Sequence, residues 1–96
     1  MLKNSLINPT QLVSQVPGNI ASDMDGEKVI LSIENGKYYN LGEVGGEIWS
    51  RLSKPIRLNT LITNLMEEFN VGRDVCEADV QYFLGKLLDE GLVKVD

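Results

Sequence analysis

The sequence predicts an α+β domain in which a small antiparallel meander comes first and helices follow. Three observations carry this. Three β-prone runs between residues 20 and 41 are separated by Asp25-Gly26 and Asn35-Gly36, both turn-forming pairs. Three later segments repeat apolar residues at helical spacing. Finally, 96 residues with 43% hydrophobic and 24% charged side chains suit one ordinary globular domain and leave no room for a second.

A polar leader runs to about Thr10, and Leu12–Val16 reads as a short extended segment stopped by Pro17-Gly18. Residues 1–16 are therefore expected to be a flexible or edge-covering N-terminal segment of a single domain spanning 1–96. Ile20 to Met24 alternates apolar and polar side chains. Val29–Ile33 is apolar on both faces, as a central strand should be. Asn35-Gly36 predicts a type I′ hairpin, because both residues tolerate positive φ, with Glu34 and Lys37 as an opposite-charge pair across it. The third strand, Lys37-Tyr38-Tyr39-Asn40-Leu41, then lies at an edge blunted only by its leading lysine. Such an edge is either covered by the chain or used by a partner.

The first helix is expected after a capping box of Asn40 and Glu43, with Leu41, Val44, Ile48 and Leu52 on one face, and ends before Pro55. The second carries Leu58, Leu61, Ile62, Leu65, Met66 and Phe69 and closes at Asn70-Val71-Gly72. Asp74 and Glu77 form a capping box for the third and longest, which buries Val80, Phe83, Leu84, Leu87 and Leu88 and stops at Gly91. Leu92–Val95 is a short final strand. A three-stranded meander, three helices and a C-terminal strand are the inventory of a winged helix-turn-helix domain.

The same residues exclude much chemistry. There is no histidine, and the single cysteine, Cys76, makes neither an internal disulfide nor a thiolate cage, so no metal site or cofactor is expected. No nucleophile elbow or phosphate-binding Gly-Lys loop is present, and the protein is expected not to be an enzyme. Gly42-Glu-Val-Gly45-Gly46 is the wrong pattern for a dinucleotide fingerprint and reads as two helical glycines that let another backbone pack closely. Cys76 and Trp49 read as core. No apolar run approaches a membrane span, and no apolar signal segment follows Met1, so a cytoplasmic protein without a membrane partner is expected. The net charge of −5 lies wholly from Glu67 onward, which disfavours nucleic-acid phosphate.

The third helix carries a mixed row, Val75, Asp79, Tyr82 and Lys86, at spacings of four, three and four. A peptide pairing with Lys37–Leu41 by main-chain hydrogen bonds would rest its side chains against this helix, as in β-augmentation grooves. The plain alternative is a boundary row beside the core.

Gly36-Lys-Tyr-Tyr-Asn-Leu-Gly-Glu-Val-Gly-Gly-Glu-Ile-Trp49 and Asp74 to Val93, with its acidic-x-acidic-Val-x-x-Phe-Leu centre and Gly-Leu exit, resemble the PqqD-like family over about residues 17–95. Gly42 departs from the asparagine of many relatives. The resemblance implies a recognition element for ribosomally made precursor peptides, which binds the leader between its third strand and third helix. A free-standing chain of this length most resembles the recognition proteins of lasso-peptide pathways in antibiotic biosynthesis, which work with a leader peptidase and an ATP-dependent cyclase. A PqqD-type peptide chaperone for a radical enzyme of quinone-cofactor synthesis is the near alternative. On this reading Lys37, Tyr38, Tyr39, Asn40 and Leu41 supply the pairing strand. Val75, Asp79, Tyr82, Phe83 and Lys86 form the facing wall, with Asp79 placed for a basic leader residue and Phe83 either groove or core. A DNA-binding winged helix shares the architecture but needs a basic third helix, whereas this one offers Lys86, with Arg73 just before it, among Asp74, Glu77, Asp79, Asp89 and Glu90.

Overall fold

A computed structural model describes residues 7–96. The elements are β1 (Leu12–Gln15), β2 (Asn19–Met24), β3 (Glu27–Ser32), β4 (Lys37–Leu41), α1 (Gly42–Arg51), β5 (Ile56–Arg57), α2 (Leu58–Phe69), α3 (Arg73–Asp89) and β6 (Val93–Val95). The α+β class holds: β2, β3 and β4 form the antiparallel meander, and three helices and a terminal strand follow. A second sheet, in the order β5-β1-β6, was not apparent in the sequence. β5 is only two residues long and pairs with a strand more than forty positions earlier, so no local pattern announces it.

The helices form because their apolar stripes have somewhere to go. Leu52, Leu58, Leu61, Ile62 and Leu84 are fully buried together with Val13, Ile30 and Leu92, so both sheets close on one core. Trp49 and Cys76 belong to that core, the cysteine directing Sγ at the Ile62 carbonyl oxygen. Gly46 lets α1 lie directly on β3, since a Cβ there would stand 2.6 Å from Lys28 Cβ. α2 ends at Asn70, whose φ of +54° is the left-handed cap position.

Residues 1–6 of the leading segment lie outside the described residues. Its remainder does not cover the edge of β4. β1 is instead the middle strand of the second sheet, and Ile7 is pinned to α3 by two hydrogen bonds with the Gln81 side chain, of 3.0 and 2.9 Å. The apolar side chains of Ile7 and Val13 explain this course, because both are buried in the helical core.

The turns differ from expectation in an instructive way. Asp25 and Gly26 both have positive φ, 55° and 83°, and make the two-residue type I′ turn between Met24 and Glu27. Asn35-Gly36 does not: Ser32 pairs with Lys37, so the loop has four residues, Glu34 lies inside it and does not oppose Lys37, and only Gly36 has positive φ. Ile33 accordingly leaves the strand and is exposed. Neither predicted capping box forms. α1 starts at Gly42 without a side-chain cap, and α3 starts at Arg73 behind Gly72, which places Asp74 inside the first turn, where its charge faces the positive end of the helix dipole.

Candidate functional site

β4 is an edge strand, and hydrogen-bond parity states which of its groups are free. A two-residue type I′ hairpin is closed by a doubly bonded pair, here Met24 and Glu27, so residues 27, 29 and 31 of β3 bond to β2. Residues 30 and 32 of β3 then bond to Tyr39 and Lys37 of β4. Tyr38 and Asn40 are left with their N–H and C=O groups directed at the open edge. Their side chains point away from the helices, whereas the half-buried Tyr39 and Leu41 face α3.

Asn40 is used by its own chain. Its Oδ1 accepts from the Gly42 N–H at 2.9 Å, and its Nδ2 donates to Glu27 Oε1 at 2.9 Å, which together fix the sharp passage from β4 into α1. The other end of β4 is tied to α3. The Tyr39 hydroxyl donates to Glu90 Oε1 at 2.7 Å and accepts from Asn35 Nδ2 at 3.1 Å, while the same amide donates to the Glu90 carbonyl oxygen at 2.9 Å. The hydrogen bond to the Glu90 carboxylate, aided by partial burial, raises the Tyr39 pKa above the ordinary phenol value. This trio also accounts for the missed turn, because the Asn35 side chain is engaged with α3 rather than with a tight hairpin.

Between β4 and α3 run two adjoining clefts that share Leu41 and Phe83. One, of about 510 Å³, is lined by Tyr39, Asn40, Lys86, Asp89 and Glu90 among others. The second, about 530 Å³ and more apolar, continues between α1, the end of α2 and the first half of α3, with Val44, Ile48, Phe69 and Val71 in its walls and Val75 and Asp79 on α3. Phe83 is both groove and core: it is half-buried, lines both clefts, and packs so closely that a Cβ on Gly45 would lie 2.9 Å from its Cε1. The close backbone approach expected at the two glycines thus holds for Gly46, which lies against β3 at Lys28, whereas Gly45 admits a side chain, the Phe83 ring.

Of the ten residues singled out from sequence, seven line these clefts: Tyr39, Asn40, Leu41, Val75, Asp79, Phe83 and Lys86. Lys37, Tyr38 and Tyr82 do not. Tyr38 is on the opposite sheet face, and Tyr82 is 70% exposed, with the Lys86 ammonium 5.1 Å from its ring centroid. Sequence reasoning missed Val44 and Phe69 as lining residues, having read them only as members of apolar helical stripes. Their helical spacing did mark an inward face, but could not show that the neighbouring helices fail to close over it; Val44 remains 52% exposed. Leu88, expected in the core, is exposed. Asp89 and Glu90 had been noted only as part of the acidic excess.

Cys76 is not poised as a nucleophile, because burial, reinforced by Asp79, pushes its thiol pKa up. Among the described residues, no three His, Cys, Asp or Glu side chains gather as metal ligands, and no helix is long and apolar enough to cross a membrane. On α3, Arg73 is bonded to Asn59 Oδ1, which leaves Lys86 amid carboxylates.

The family model for coenzyme PQQ synthesis protein D (PqqD) matches residues 27–93. Two solved structures are similar in fold. TbiB1 in complex with the TbiA(beta) leader peptide is 28% identical, with a TM-score of 0.76 over 84% of this chain and 94% of that one. The PqqD truncation of Methylobacterium extorquens PqqCD, described as a functional, stand-alone recognition element for ribosomally synthesized and post-translationally modified (RiPP) peptides, is 12% identical, with a TM-score of 0.77 over 92% and 94%. At that identity the second likeness speaks for the fold alone. No curated protein sequence matches at a significant level.

Proposed function

The chain belongs to the PqqD family, and from that premise we propose that it binds the leader of a ribosomally synthesised precursor peptide as an extra strand beside β4 and delivers it to the leader peptidase and ATP-dependent cyclase of a lasso-peptide pathway. The observation that carries this reading is the free edge of β4 standing beside a groove walled by α3. Tyr38 and Asn40 offer up to four main-chain hydrogen bonds, each contributing about 0.5–1.5 kcal/mol net. These give affinity without regard to sequence. Specificity comes from side chains entering the clefts: an apolar anchor among Val44, Ile48 and Phe69, and a basic residue near Asp79. The 28%-identical TbiB1, solved with a leader peptide, supports a peptide in this role.

The protein on this reading presents a substrate and does not transform it, and the acidic α3 suits a peptide better than DNA. A PqqD-type chaperone of quinone-cofactor synthesis is the second reading, favoured by the description of the matching family. Neighbouring genes separate the two, a peptidase and a cyclase against a radical enzyme. The biochemical test is calorimetric titration of the cognate leader. Binding at tens of micromolar or tighter is expected; no binding there, or equal binding of a scrambled leader, contradicts the proposal.

A further inference from the structure

Two places hold β4 against α3, and they differ in kind. At the α1 end the hold is apolar: Leu41 Cβ and the Phe83 ring both stand within 3.2 Å of where a Cβ on Gly45 would be. At the hairpin end it is polar. There Tyr39 and Asn35 reach Glu90, the C-cap of α3, through the 2.7 Å hydroxyl–carboxylate bond and the 2.9 Å amide–carbonyl bond. Among the described residues, no other hydrogen bond and no ion pair joins the meander to α3.

The polar hold stands between two open volumes. On one side is the cleft of about 510 Å³, with Tyr39 and Glu90 in its wall. On the other is a cavity of about 390 Å³ between the Pro17-Gly18 turn and the β3–β4 loop, lined by Ser32, Ile33, Asn35 and Glu90 among others. Asn35 thus borders the cavity behind and not the groove. Open space on both sides leaves the hydrogen bonds, rather than interlocking side chains, to set the distance between β4 and α3 at this end.

We infer that Asn35 and Glu90 are positioning residues for leader binding: the strap they form with Tyr39 holds the hairpin end of β4 at the spacing from α3 that an added strand needs, before any peptide arrives. The inference rests on the leader-binding reading. Without the strap the groove samples other widths, and only the fraction of molecules at the productive spacing accepts the leader, so apparent affinity falls by that fraction. Two exposed hydrogen bonds, one of them to a carboxylate, support a population shift of about five- to tenfold. Once seated, the leader itself holds the groove, and the loss is carried by the association rate.

The test follows association and dissociation of the full chain with a fluorescein-labelled synthetic leader, taken from the precursor of the same gene neighbourhood, by stopped-flow polarisation. Asn35→Ala removes the amide without touching the groove, and Tyr39→Phe removes the hydroxyl while keeping the ring that lines it. Each is expected to slow association about threefold, and the pair about five- to tenfold, with dissociation within about twofold of wild type. Glu90→Gln keeps both its main-chain carbonyl and a side-chain oxygen that accepts from the Tyr39 hydroxyl, and restores the wild-type rate; Glu34→Ala, in the same loop but outside the strap, leaves the rate unchanged. Wild-type association in the pair overturns the inference. A loss confined to the dissociation rate also overturns it, by making Asn35 a leader contact. Association as slow in Glu90→Gln as in Asn35→Ala overturns it by assigning the effect to charge. A wild-type chain that binds no leader sinks the parent reading and this one with it, whereas wild-type binding matched by the pair sinks this inference alone.

Discussion

The two small sheets of this chain solve different problems. The β5-β1-β6 sheet is held by distant partners: Leu12 and Asp96 exchange both main-chain bonds, at 3.3 and 2.9 Å, while the Gln15 N–H reaches the Leu52 carbonyl and the Val16 N–H the Leu92 carbonyl. Its middle strand buries Val13 completely. The meander is built from consecutive hairpins, buries only one face through Ile30 and its neighbours, and leaves a free edge beside a groove. One sheet ties the ends of the chain into the core, and the other is available for use. Damage to the first should therefore unfold the protein, and well-chosen damage to the second should leave a folded protein that has lost its partner.

The largest effect is expected from Val13→Asp, which buries an unpaired carboxylate in the closed sheet. A loss of at least ~4 kcal/mol, a large part of the ~5–15 kcal/mol holding a domain together, should appear as the loss of cooperative thermal unfolding by circular dichroism. Next comes Tyr38→Pro. The Tyr38 N–H faces the open edge, so proline there spares the β3–β4 ladder; stability should move by about 1 kcal/mol or less while leader affinity drops by about tenfold or more. An equal loss of stability in both variants would erase the distinction between the sheets.

Much of this division was legible in the sequence, for identifiable reasons. The helices were found because the Leu58–Phe69 and Val80–Leu87 stripes are local patterns, and the edge position of Lys37–Leu41 followed from two successive turns. The closed sheet was hidden because β5 and β6 are two and three residues long and find β1 across more than forty residues of intervening chain. The second hairpin was misjudged because the contact of Asn35 with Tyr39 and Glu90 outweighed the local preference of Asn-Gly for a tight turn. Seven of the ten residues singled out line the clefts because β4 alternates and α3 repeats regularly. The apolar cleft was not legible, since periodicity alone does not distinguish a buried stripe from one left half-open.

A smaller effect separates the wall of the groove from its edge. Asp79→Ala should weaken leader binding about threefold with an unchanged melting temperature, as expected for one exposed charge. Tyr82→Ala, outside both clefts, should weaken it less; the reverse order would move the wall toward Tyr82. The smallest effect concerns the tie between Tyr39 and Glu90. Because the folded-state pKa of Tyr39 is raised, folding retains its proton more tightly than the unfolded chain does. The associated stability is present below about pH 10 and is lost as pH rises through the folded value. Thermal melts between about pH 8 and 11 should therefore show a steeper alkaline decline for the wild type than for Tyr39→Phe, and identical slopes would contradict that assignment.

Amide hydrogen exchange along β4 tests the central claim most directly, because strand parity gives each residue a distinct expectation. In the free protein, Tyr38 and Asn40 should exchange quickly and Tyr39 slowly. On saturation with the leader peptide, Tyr38 and Asn40 should become protected by about tenfold or more. Unchanged exchange at both residues under saturating leader, or new protection confined to β2, would contradict strand addition at this edge.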